Sequence, residues 1–258
     1  MSVPEGISCK LRRANKQLES LDKCVKRFLE ADPQPYRILP EDDPDTRERI
    51  YWLEIVVPPP LIWSVIAGEI IHDLRTALDH LAYALCLAHA PGKDPPRSTE
   101  FPIFWDEDRF DNVKPGGGYF KIRGMSWEMQ SAIRDFQPHQ RGDAAKTQPL
   151  WVLQDMSNID KHRHLNLAVM GMPTAAFYVD PSVEFIPTYR WSEGRLEVGR
   201  MRPLMPEAEV QNDPSFIPQV ILDERADRSW RPFIGQIRSL NLVVGDIAEK
   251  LSARFLAG

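Results

Sequence analysis

The segment that most restricts how this chain can fold runs from Leu61 to His89, an apolar stretch long enough for about eight helical turns that carries one line of ionisable groups. At about 100° per residue, Glu69, His72, Asp73, Thr76, Asp79 and His80 fall within roughly 120° of one another, with Arg75 at the edge. Leu74, Leu78, Leu81 and Leu85 cover the opposite face. Such a helix buries one side. Its other side needs water, ion partners, a metal or a substrate, because burying unpaired charge is costly. Pro58, Pro59 and Pro60 stop the preceding strand and launch the helix, since proline is tolerated in a first helical turn, and Ala90-Pro91-Gly92 ends it.

Four-three spacing recurs at both ends of the chain. Ile7, Leu11, Ala14, Leu18, Leu21, Val25 and Phe28 mark a seam on a helix ending near Pro33. Its outer face carries Lys10, Arg12, Arg13, Lys16, Lys23, Lys26 and Arg27 and reads as a solvated surface. Phe233, Ile237, Leu240, Val244, Ile247 and Leu251 repeat the rhythm on a C-terminal helix capped near Ser229. Residues 32–46, rich in proline and acid, read as a loop, and alternation over 47–57 predicts a strand. The Pro, Gly and Asp content of 93–119 predicts an irregular excursion, with 101–105 as an apolar plug. Ser126 caps a short helix reaching Phe136, and another opens near Pro149 and runs to the second polar cluster, Asn158-Ile-Asp-Lys-His-Arg-His164. Beyond it, strand-like stretches at 165–169, 175–179, 183–191, 196–200 and 216–222 predict a small antiparallel sheet, with Ser192-Glu-Gly194 as one turn.

The expected fold is therefore α+β and mostly helical, one domain over 1–258: a helical bundle core (6–31, 60–90, 147–163, 229–256) with a small antiparallel β-sheet inserted or appended (47–57 and 165–223). A composition of 43% hydrophobic and 27% charged residues suits a globular chain, and the net charge of −5 argues against nucleic-acid affinity driven by bulk charge. Cys9, Cys24 and Cys86 form no metal-like or disulfide framework spacing. With no signal-peptide layout at the start and no uncharged run free of proline long enough to span a bilayer, a cytoplasmic setting without membrane contact is expected. No Walker loop, dinucleotide fingerprint or Gly-x-Ser-x-Gly elbow is present.

Three chemistries fit the stripe. Arg75 and His80 form an Arg-x4-His pair that resembles the motif of the HEPN superfamily, all-helical proteins that include many RNA-cleaving toxins and phage-defence factors. The resemblance implies a metal-independent endoribonuclease without a cofactor, its motif paired across a homodimer. His80 would be the proton-transfer group, Arg75 the phosphate stabiliser, and Asp79 or Asp73 would orient a histidine such as His72. Lys161, His162, Arg163 and Asn158 would contact the RNA. This sequence departs from the family habit in having Thr76 after the arginine. A longer likeness, over Gly68 to Tyr83, Phe101 to Phe104 and Asn158 to Arg163, resembles a widespread bacterial and phage family without an assigned activity; it groups the two polar clusters into one site.

The second chemistry is a divalent metal held by Glu69, His72, His80 and Asp160, since Glu69-x-x-His72 places two ligands on one helix face. His164, four residues after Asp160, could join it. The third is a buried polar network in a non-catalytic binding or scaffold protein, with Asp79 and Arg75 pairing along the helix and the second cluster docked by ion pairs.

Overall fold

The structure is a computed structural model that describes residues 3–163, 165, 167–173, 182–192, 194–205, 216–222 and 232–256. It is mostly helical α+β, with small antiparallel sheets. The elements are α1 (Glu5–Leu29), β1 (Tyr36–Asp42), β2 (Arg49–Ile55), α2 (Ile62–His89), α3 (Glu107–Asp111), α4 (Gly118–Ile122), α5 (Trp127–Asp135), a 3-10 segment (Pro138–Thr147), α6 (Pro149–Asp160), β3 (Leu167–Pro173), β4 (Val183–Ile186), β5 (Arg190–Ser192), β6 (Arg195–Pro203), β7 (Phe216–Leu222) and α7 (Phe233–Phe255). The chain divides into two compact units, Met1–Leu21 with Ile62–Leu165 and Ile234–Gly258, and Asp22–Leu61 with Asn166–Phe233.

The first unit is helical. The four-three seams close its core: Ile7, Ala14, Leu18 and Leu21 of α1, and Ile237, Leu240, Val244, Ile247 and Leu251 of α7, are all buried. Between them α2 buries Ile70, Ile71, Leu74, Leu78, Leu81 and Leu85, each without measurable exposure. Ser126 caps α5 by accepting from the Met129 backbone N–H at 3.3 Å, as the sequence suggests. The excursion after α2 holds two helices that hydrophobic spacing did not reveal, α3 and α4; five residues are too few to display a helical period. Phe101, fully buried, is the centre of the expected apolar plug.

The second unit is built on a sheet of order β1-β2-β6-β4, with β5 also pairing β6, and a separate β3-β7 pair. Tyr51, Leu53, Leu196, Val198, Val169 and Ile221 form its core. The segment expected as a loop contains β1, which among the described residues pairs with β2 alone. Pro40 is compatible with that edge position, where one side of the strand needs no ladder bonds, and the mostly exposed strand lacks the alternation that marks a half-buried one. β7 and β6 fall where alternation places them, whereas the expected strand at 183–191 is interrupted into β4 and β5. The β5–β6 register joins Ser192 to Arg195, and Gly194 supplies the turn's positive φ of 80°. Residues 175–179, the cap near Ser229 and His164 lie outside the described residues. An ionic network sits on β6: Arg200 bonds Glu197 at 2.9 Å and Glu48 at 3.2 Å, while Arg202 bonds Glu48 at 2.6 Å.

Candidate functional site

Because α2 is buried along one side and flanked on the other, its polar stripe is divided into three lanes. One edge faces the apolar plug. Arg75 donates through Nη2 to the Phe101 carbonyl at 2.7 Å, its Nη1 lies 2.9 Å from Asp79 Oδ1, and Asp79 accepts from the Phe101 backbone N–H at 2.9 Å. Glu100 stands 3.9 Å from Arg75 and pairs with Lys121. The Arg75 side chain is only 11% exposed. Burial pushes the Asp79 carboxyl above its ordinary range, against the opposing pull of Arg75 and of the Phe101 N–H. This lane is a clamp that fixes the loop after α2, reinforced by Gln137, which is buried and donates to the Pro102 carbonyl at 2.9 Å while accepting from the Phe104 N–H at 3.0 Å.

The other edge faces α1. Asp73 is 2% exposed, and its carboxylate takes Lys10 at 2.7 Å and Arg13 at 3.3 Å. Glu69 accepts from Gln17 at 2.6 Å and lies 3.7 Å from Arg13. The sequence reading left Lys10 and Arg13 on a solvated face. Their spacing of three does place both beside the apolar seam, the one signal that could have singled them out.

About two turns before Arg75, on the same side of the helix, α2 approaches α6. A Cβ on Gly68 would stand 2.1 Å from Asp160 Oδ1, so the glycine makes room for the Asp160 carboxylate in its present position. The result is a cleft of about 490 Å³ lined by Lys10, Arg13, Val65, Gly68, Glu69, His72, Asp73 and Asp160. Among the described residues of the second polar cluster, Asp160 lines this cleft. Lys161, His162 and Arg163 are exposed beyond the last turn of α6 and do not line the cleft, and Asn158 is exposed, accepting from Gln154 at 3.0 Å. No family model, curated protein or solved structure matches this chain.

The middle lane of α2 is open. Val65, Glu69, His72, His80, Tyr83 and Leu87 are exposed and Thr76 is half-buried, with Thr76 Oγ1 3.4 Å from His72 Nε2. His80 is eight residues from His72, about 12 Å along the axis, and is outside the cleft. The metal set Glu69, His72, His80 and Asp160 is therefore not brought together at one point, and among the described residues no group of three or more His, Cys, Asp or Glu side chains is placed to hold an ion. Arg75 and His80 also diverge, by about 140° around the helix, one turned to Phe101 and the other beside the first turn of α1, where a Cβ on Gly6 would lie 3.9 Å from His80 Nδ1. What the arrangement can do within one copy is fix elements at both edges of α2 and present a row of mixed apolar, imidazole and hydroxyl groups between them. Among the described residues, no helix is long and apolar enough to cross a membrane.

Proposed function

We propose that this chain is a non-catalytic binding protein that works as a homodimer through the open lane of α2, with the flanking ion pairs serving architecture. The observation that carries the reading is a symmetry in the exposed residues. Counting outward from Thr76, His72 answers His80, Glu69 answers Tyr83, and Val65 answers Leu87. Two copies of α2 laid antiparallel about a twofold axis at Thr76 would set each of these beside its counterpart: apolar on apolar at both ends, a carboxylate against a phenol, and imidazole against imidazole. A twofold interface needs this kind of self-complementarity. Arg75 supports the same conclusion from the other side, since its guanidinium is committed to Phe101, Asp79 and Glu100 and a phosphate would have to displace them.

RNA cleavage, which the HEPN resemblance implies, is the second reading, favoured by the exposure of both histidines on one lane. In the twofold arrangement His72 of one copy and His80 of the other would act as an acid and base pair on the ribose 2′-OH and the leaving oxygen, in place of Arg75 with His80. Sedimentation of the intact chain tests the dimer: Thr76→Arg places two charges on the axis and should yield a monomer that keeps its circular dichroism spectrum and loses in melting temperature only what association contributed. A wild-type chain that sediments as monomer at tens of micromolar refutes the dimer. Incubating the wild-type dimer with single-stranded RNA separates the two readings. Cleavage that His72→Ala and His80→Ala each abolish establishes the second and overturns the first.

A further inference from the structure

A second cleft, of about 900 Å³, lies between the end of α3, α4 and α5, well away from the stripe along the chain, and its size is within the range of roughly 300–1,000 Å³ common for small-molecule sites. We propose that it binds a nucleotide, taken either free or as an unstacked base of single-stranded RNA. Its wall is an aromatic platform held from behind. The Trp127 and Tyr119 rings are stacked with centroids 6.2 Å apart and planes inclined by 22°, and the fully buried Phe110 meets Tyr119 edge-on at 5.1 Å. Trp127 is nonetheless 66% exposed, so an indole resting beside the Tyr119 ring is left in water. A flat ligand laid on the indole would cover it and extend the ring stack.

The charges on the rim select the ligand. Arg123 lies over the Phe120 ring at 3.8 Å, and its Nη1 donates to Ser98 Oγ at 2.6 Å and to the Phe120 carbonyl; among the described residues no carboxylate pairs with it. Arg134, by contrast, is consumed by Asp111 at 3.2 Å and by Glu107, so it closes the wall without offering charge. Gln130 gives its amide N–H to the Met125 carbonyl at 2.9 Å, which holds the side chain still and leaves Oε1 as an acceptor for the polar edge of a base. A stacking face, a fixed acceptor and a guanidinium together match base, edge and phosphate. A proline-rich peptide would use the indole face but has no group for Arg123.

Isothermal titration of the full-length protein with AMP, adenosine, an eight-residue oligoadenylate and a proline-rich peptide decides it. The expected result is saturable AMP binding that Trp127→Ala weakens roughly ten- to hundred-fold, the loss of one base–aromatic stack. Arg123→Gln should erase the preference for AMP over adenosine. Both positions are exposed, and circular dichroism checks that the variants fold. Tighter binding of the oligonucleotide than of AMP identifies an RNA strand as the source, and equal or weaker binding identifies free nucleotide. The proposal is overturned by no saturation with AMP or oligonucleotide at millimolar concentration, by binding that neither variant alters, or by tighter binding of the peptide.

Discussion

Replacing Arg75 with alanine asks most directly whether the stripe is architecture or chemistry. The guanidinium donates to a buried backbone carbonyl at 2.7 Å, and a hydrogen bond from a charged group contributes about 1.5–3 kcal/mol. Its removal also leaves the Phe101 carbonyl without that donor and deprives Asp79 of its cation 2.9 Å away. Breaking a buried pair costs about 3–5 kcal/mol, but Asp79 is 33% exposed and recovers part of its hydration, so a total of about 3 kcal/mol is expected. For a chain of this size that corresponds to a fall of roughly 6–12 °C in melting temperature by differential scanning calorimetry. The deficit should depend on pH with a definite sign. Burial already raises the Asp79 carboxyl above its ordinary value of 3.8, and without Arg75 it rises further. The folded variant then binds a proton that the unfolded chain does not, so lowering the pH from 7 towards 4 should recover part of the lost stability. Asp79→Asn in the same background should remove that pH dependence. An Arg75→Ala protein that melts like wild type would refute the clamp and return Arg75 to the list of functional groups.

Gly68→Ala should displace the Asp160 carboxylate from α2 and cost about 1–3 kcal/mol by urea denaturation, and an unchanged midpoint would show that the side chain has room to yield. Gln137→Leu strips partners from the Pro102 carbonyl and the Phe104 N–H, and should cost at least about 2 kcal/mol in the same assay. Glu48 is held below its ordinary carboxyl range chiefly by its bond to Arg202, and Glu197 by its bond to Arg200. Their stabilisation is complete above the unfolded value of 4.5 and drains away as pH falls through the lower folded values. Near-ultraviolet circular dichroism from Trp52 and Tyr51 should therefore decay below about pH 4.5, and Arg200→Met, which leaves the buried Glu197 to desolvation, should lower stability at pH 7 and weaken that acid dependence.

Much of the helical architecture was legible because one-sided burial leaves a period in the sequence. The seams of α1 and α7 and the apolar back of α2 follow from it, as do α5, announced by its Ser126 cap, and α6, announced by Pro149 at its first turn. Among the elements that escaped, α3 and α4 are too short to show a period, the 3-10 segment over 138–147 follows a proline that reads as a stop, and β1 is an exposed edge. The candidate site divides in the same way. Periodicity put Glu69, His72, Asp73, Thr76, Asp79 and His80 on one face, but it carries no information about what stands opposite each of them.

By itself, then, the order of residues determined that α2 must bury one side and carry charge along the other, since 100° per residue is a property of the backbone. Only the tertiary structure decided which charges were spent. Arg75 and Asp79 are tied to Phe101, 22 or more positions onward, and Asp73 is neutralised by Lys10, 63 positions back. Contacts at such separations depend on how elements pack, and a group's availability for chemistry depends on those contacts rather than on its place in a motif.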